Sequence, residues 1–218
     1  MNTVAQTLVD WLKIQGVEVI FGIPGVHTIE LYRALAGAGI RHVTPRHEAA
    51  AGFMADGYAR ISGRFGVALV ITGPGVTNIL TPMAQARADS VPVLVISGVN
   101  RRDTLGKGLG YLHELPDQRA LTRTLGPALH LEDPQALPGL LAHAGRALTT
   151  GRGGPVHIEV PLDLMAAKAP TAAALAHPAP ALPVELKALA HDKALIADAS
   201  APGALDQIAP QERVLIVG

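Results

Sequence analysis

Cysteine is absent from this chain. That excludes disulfides, thiolate catalysis and cysteine-ligated metals together, and it fits a reducing, cytoplasmic setting. Net charge is missing as well, because 18 Lys and Arg residues balance 18 Asp and Glu. No strong overall field draws the chain to nucleic acid or to an anionic membrane. Long apolar runs are lacking too. Stretches such as Val67–Ile71 and Val91–Ile96 fall far short of the roughly 20 residues of a membrane span. The opening residues, Met1-Asn2-Thr3-Val4-Ala5-Gln6, show no basic region followed by an apolar one, so no secretory signal is visible. These absences predict a soluble, cytoplasmic chain whose partners include neither nucleic acid nor a membrane.

What is present is apolar and regularly spaced. Hydrophobic residues make up 49% of the 218 and charged residues 17%, enough for a substantial core. Thr3 and Gln6 form a capping-box pattern ahead of Val4, Leu8, Trp11 and Leu12, which share one helical face. Strand-like runs at Val17–Phe21, Ile40–Val43, Val67–Thr72, Val91–Ser97, Ala128–Leu131 and Val156–Val160 alternate with helical patterns at Thr28–Ala36, Glu48–Ile61, Asn78–Ala88, Asp117–Thr124 and Pro134–Leu148. Such alternation predicts an α/β fold, doubly wound, with a mainly parallel sheet of about six strands and helices on both faces. Asn100–Leu112, with Gly106, Gly108 and Gly110 and no period, reads as a mobile loop.

The composition changes after Leu164. Residues 165–183 are rich in alanine and proline and read as an extended linker. A weak helix near Val184–Leu195 and the run Arg213–Gly218 follow. A lone terminal strand is an aggregation hazard, so 184–218 is expected to begin a further, truncated domain of a longer protein, with residues 1–164 as the first domain.

Three segments carry candidate chemistry. Glu48 stands at the carboxyl end of a strand, in Arg46-His47-Glu48-Ala49-Ala50-Ala51-Gly52-Phe53-Met54-Ala55-Asp56-Gly57-Tyr58-Ala59-Arg60, where open α/β sheets place their ligand crevices. By itself it reads equally as a first-turn glutamate complementing a helix dipole. Gly22-Ile23-Pro24-Gly25 is a turn leaving the first strand, and Thr72-Gly73-Pro74-Gly75-Val76-Thr77-Asn78 is a glycine-rich loop opening a helix. The second has neither the lysine nor the spacing of a P-loop, and it is not a Gly-x-Gly-x-x-Gly fingerprint. His27 follows the first turn, and its role is open between facing the pocket, facing solvent and helix entry. His42, His130, His143 and His157 show no metal-ligand spacing and read as structural.

Together these segments, with Ala88-Asp89-Ser90-Val91-Pro92, resemble the pyrimidine-binding domain of thiamine-diphosphate enzymes, the acetolactate synthase and 2-oxoacid decarboxylase superfamily. The resemblance covers roughly Thr3 to Leu164. It implies that Glu48 hydrogen-bonds the far ring nitrogen of the aminopyrimidine and is the catalytic carboxylate. It further implies that Ile23, Pro24, Gly25, Thr72, Pro74, Gly75 and Asn78 line the thiamine diphosphate. Leu112-His113-Glu114 falls where acetolactate synthases carry Phe-Gln-Glu, which places His113 at a substrate-facing position. Histidine there fits a hydrogen bond to a substrate carboxylate or a proton shuttle, and it tilts the reading towards decarboxylation or an altered substrate choice, with a loop histidine facing water as the plain alternative.

The family binds the diphosphate and Mg2+ through a Gly-Asp-Gly…Asn motif, and this sequence has none, so the resemblance implies a second copy or a partner chain that supplies that domain. A homo-oligomer acting on a 2-oxo acid is expected, with FAD a further cofactor open to a full-length protein of synthase type. The leading expectation is the N-terminal part of an acetolactate-synthase-like enzyme. The alternatives are a simple 2-oxoacid decarboxylase and, for this chain alone, a non-catalytic dimerisation module.

Overall fold

The computed structural model describes residues 2–172. Its first helix, α1 (Val4–Ile14), starts where the capping box places it: the Gln6 backbone N–H donates to Thr3 Oγ1 at 3.1 Å, and the Thr3 N–H donates to Gln6 Oε1 at 2.9 Å. The elements then alternate as β2 (Val19–Gly22), α2 (Ile29–Leu35), β3 (Arg41–Val43), α3 (Glu48–Ser62), β4 (Gly66–Val70), α4 (Pro74–Asp89) and β5 (Val93–Val99). After a long connection come α5 (Gln118–Arg123), β6 (Ala128–His130), α6 (Leu137–Thr149) and β7 (Pro155–Pro161). The six strands form one parallel sheet in the order β3-β2-β4-β5-β7-β6.

Because side chains alternate along a strand, the sheet feeds two cores. Ile20, Val67, Leu69, Leu94, Ile96, Val156 and Ile158 pack with the buried faces of α1, α2 and α6. Val19, Phe21, Ala68, Val70, Val93 and Val95 pack with α3 and α4. Both faces of the sheet are therefore covered by helices, as a doubly wound sheet requires.

Two local differences from the expected boundaries have physical causes. α4 begins at Pro74, not at Asn78, because proline at the first helical position loses no hydrogen bond and its fixed φ suits a helix. Gly73, at φ +66°, makes the break before it. Just beyond Leu164, Lys168–Ala169 (β8) pairs antiparallel with Asn2–Thr3 (β1), and Met165, Ala169 and Ala172 are buried. Pairing between residues so far apart in sequence leaves no local signal. The rest of the segment read as a linker, the weak helix near 184–195 and the run 213–218 lie outside the described residues.

Candidate functional site

The sheet reverses direction between β2 and β4. From β2 the chain runs outward to the edge strand β3, then returns to lay β4 on the other side of β2. Loops leaving neighbouring strands at such a point diverge and leave a crevice at the carboxyl ends. Gly22–Gly25 leaves β2 there, and Ile71–Gly73 leaves β4. Ile23 is half-buried and Pro24 exposed. Ile71 joins the two turns: a Cβ on Gly25 would lie 2.4 Å from its Cδ1, and one on Gly75 would lie 2.9 Å from its Cγ2. A side chain at either place would force Ile71, which packs against both, to shift.

Glu48 reaches the same place from α3. His47 caps that helix, its Nδ1 accepting from the Ala49 N–H at 3.1 Å, and this sets Glu48 as the first helical residue. The half-buried Glu48 carboxylate spans α3 and α4. Asn78 Nδ2 donates to Oε2 at 2.8 Å. Oε1 points at the first turn of α4, where a Cβ on Gly75 would stand 3.6 Å away. Among the described residues no donor is hydrogen-bonded to Oε1. One oxygen is fixed and the other is free, aimed past an apolar side chain. That arrangement fits an N–H donor on a flat ring.

His113, Thr72 and His27 meet on the other side of the β4–α4 turn. The His113 backbone takes φ +59°, a left-handed conformation that a non-glycine residue adopts only when its surroundings impose it. They do so here. The Glu114 carboxylate accepts from the N–H groups of Gly108 and Tyr111 at 2.9 and 3.0 Å, and Asn100 Nδ2 donates to the Leu112 carbonyl at 3.0 Å. The loop carrying His113 is tied down on both sides, and its carbonyl presses on Gly73 so closely that a Cβ there would sit 2.2 Å away. The His27 and His113 rings are 5.7 Å apart at 65°. His27 is only 5% exposed, which decides its orientation in favour of the interior. Burial first, and the neighbouring His113 second, hold its pKa below the ordinary histidine value.

Beneath the turn lies a buried polar network. The Gly73 N–H donates to Gln118 Oε1 at 2.8 Å. Gln118 Nε2 in turn donates to Ser97 Oγ, the Gly98 carbonyl and Glu159 Oε2 at 3.2, 3.0 and 3.0 Å. Glu159 Oε1 meets His130 Nδ1 at 2.7 Å. His157 lies between Ser97 Oγ and Thr122 Oγ1, 2.8 Å from each. Sequence reading missed Gln118 altogether, since a glutamine following an N-terminal Asp gives no hint that it is buried.

A family model, thiamine pyrophosphate enzyme, N-terminal TPP binding domain, matches residues 2–121. The chain belongs to the thiamine pyrophosphate enzyme family. Glu48, Asn78, the two glycine turns and His113 all fall inside the matched segment. Over 167 residues, 76% of this chain, it is 59% identical to the Pseudomonas aeruginosa protein named "Probable 2-ketoarginine decarboxylase AruI", of which that covers 30%. It is 40% identical over 167 residues to an acetolactate synthase of Arthrospira platensis, covering 74% of this chain and 28% of that protein. An acetolactate synthase, chloroplastic, of Arabidopsis thaliana is 38% identical over 164 residues, 73% of this chain and 24% of that protein. The chain therefore spans less than a third of the length of these relatives.

Thiamine pyrophosphate enzymes need a place for a diphosphate and its metal. Among the described residues, no group of three His, Cys, Asp or Glu side chains is placed to hold a metal ion. No described helix is long and apolar enough to cross a membrane.

Proposed function

We propose that this chain is the N-terminal, pyrimidine-binding part of a cytoplasmic thiamine-diphosphate enzyme that decarboxylates a 2-oxo acid. The observation that carries the proposal is the Glu48 carboxylate, anchored by Asn78 at one oxygen and free at the other, at the switch point of the sheet in a chain of this family. Thiamine diphosphate, when bound, supplies the electron sink for the pair left by departing CO2. Glu48 holds a proton against the pyrimidine ring at Oε1, and the half-buried setting strengthens that proton sharing. Asn78 keeps the carboxylate from rotating away. Ile23, Pro24, Gly25, Thr72, Pro74 and Gly75 form the walls, with Ile71 filling the floor between the two glycines. His113 faces the substrate.

The diphosphate and Mg2+ are assigned to a domain that this chain does not contain, supplied by a second copy or a partner chain. Residues 1–164 form the binding domain, with 165–172 still packed on it; the remainder of 165–183 is assigned to a linker and 184–218 to the start of a central domain, where a full-length protein of synthase type would carry FAD. Phe53, Met54 and Ile61 on α3 are 47%, 41% and 77% exposed, and they offer an apolar stripe for a homo-oligomer.

Decarboxylation is favoured over carboligation by the higher identity to the decarboxylase relative, 59% against 40%, and by histidine at position 113. The 40% identity to a synthase keeps carboligation as the second reading. The test is product analysis of the full-length protein with thiamine diphosphate and Mg2+, given 2-ketoarginine or pyruvate. Release of CO2 with one aldehyde per CO2 is expected from 2-ketoarginine. A condensed product from two pyruvate molecules would instead establish the synthase, and no CO2 from either acid would overturn both.

A further inference from the structure

Three buried polar atoms among the described residues lack hydrogen-bond partners: His27 Nδ1, Thr72 Oγ1 and His113 Nδ1. They come from three separate segments, namely the turn after β2, the end of β4 and the long connection after β5. All three converge at the carboxyl edge of the sheet. A Cβ on Gly98, in β5, would lie 2.6 Å from the His27 carbonyl and 3.0 Å from Thr72 Oγ1. A Cβ on Gly73 would lie 3.1 Å from His113 Cβ. The His27 and His113 rings meet edge to face with their centroids 5.7 Å apart. Leaving even one such group unpaired forfeits its hydrogen bond to water without replacing it, and native proteins rarely do so without a reason. Three such atoms at one edge of the sheet point to a shared ligand.

The donor chemistry narrows that ligand. A hydroxyl and two imidazoles present O–H and N–H groups, and a small anion with oxygen acceptors satisfies all of them. Glu48 works on the Gly75 side of the same turn, so the two histidines adjoin the proposed cofactor wall and share only Thr72 with it. Burial disfavours an imidazolium at His27, and a neutral imidazole whose Nδ1 carries its hydrogen can donate to a carboxylate with little competing water.

We propose that His27, with Thr72 and His113, forms the receptor for the carboxylate of the 2-oxo acid, and that His27 touches the substrate directly. This rests on the function proposed above and adds to it a residue outside the motifs that point to that function. His27 is then a determinant of substrate affinity. Its removal weakens capture of the acid without weakening capture of the cofactor.

The test uses the full-length protein with thiamine diphosphate and Mg2+, and 2-ketoarginine as the probe. In His27→Leu, KM should rise about tenfold or more, the loss expected for a hydrogen bond to a charged group. His27→Asn, which keeps a donor near the Nδ1 position, should recover most of that loss. Thiamine diphosphate affinity and melting temperature should stay at wild-type values in both. A KM for His27→Leu within twofold of wild type would overturn the proposal, as would a parallel loss of cofactor affinity in both variants. Should His27→Leu fail to fold, nitrogen NMR of labelled histidines in the unaltered protein decides. Titration with 2-ketoarginine should shift the Nδ1 resonances of His27 and His113 together, and an unmoved His27 overturns the assignment. Failure of the underlying function would show differently, as wild-type protein that neither binds nor decarboxylates the probe.

Discussion

His157 is a charge-bearing residue that the fold refuses to charge. It is fully buried between Ser97 and Thr122, and burial pushes its pKa down to about 4, against a smaller opposing pull from Glu159. In the unfolded chain the same ring takes a proton near its ordinary pKa of about 6.5. As pH falls below about 6.5 the unfolded state binds a proton that the folded state does not accept until about pH 4, so stability declines across that window and levels off below it. His27 and His42 are shifted the same way, both chiefly by burial, and add to the slope. Denaturation followed from pH 7 to pH 4 should show this loss. His157→Gln, which keeps polar atoms at the site but cannot titrate, should flatten the slope even while lowering stability at pH 7. Gln118 makes a sharper case at the same scale. Gln118→Leu strips the partner from the Gly73 N–H and a donor from Glu159. We expect about 2–4 kcal/mol of destabilisation, readable by chemical denaturation. At this scale the surroundings of Glu48 and His113 single them out in the sequence as candidates, while nothing singles out Gln118 and His27 stays undecided. Burial of a polar side chain depends on what folds over it from far along the chain, and neighbouring residues do not encode that.

The pairing of α3 with α4 governs the geometry of the carboxylate. Gly52 in α3 faces Pro82 in α4, where an added Cβ would lie 2.4 Å from the proline Cγ and 2.7 Å from its Cβ. One turn earlier on each helix stand Glu48 and Asn78, joined by their 2.8 Å hydrogen bond. Gly52→Ala gains up to about 1 kcal/mol in helix propensity. Against that stands overpacking of about 1–3 kcal/mol, and a proline ring inside a helix cannot swing aside, so overpacking wins. The variant should be less stable by about 1–2 kcal/mol. By spreading the helices it should also lower kcat by more than it raises KM for the 2-oxo acid, checked by denaturation and steady-state kinetics side by side. Most elements were legible in advance. Valine-rich and isoleucine-rich runs gave the strands, Thr3 and Gln6 gave the start of α1, and the glycine turns marked where the chain leaves β2 and β4; the strand order, and with it the switch point, had no local signal. Element ends were less so: α4 started early at Pro74, and the β1–β8 pair depends on residues more than 160 positions apart.

Among the described residues, a parallel sheet with helices on both faces leaves an apolar stripe along the helix that begins at Glu48. Phe53, Met54 and Ile61 are spaced to share one side of α3, and Gly57 between them meets nothing within 4 Å. If that stripe meets another subunit, replacing Met54 and Ile61 with glutamate in the full-length protein should lower its oligomeric state by sedimentation. Activity should fall with it, because the diphosphate side of the site is assigned to the other chain. An unchanged mass would place the subunit contact elsewhere.

The account turns on Glu48, and Glu48→Gln in the full-length protein tests it most directly. Glutamine keeps the size and the hydrogen bond to Asn78 but cannot hold the proton. In this variant kcat for 2-oxo acid decarboxylation should fall by about two to four orders of magnitude, with folding and oligomeric state near those of wild type. A variant that turns over within a few-fold of the wild-type rate would contradict it.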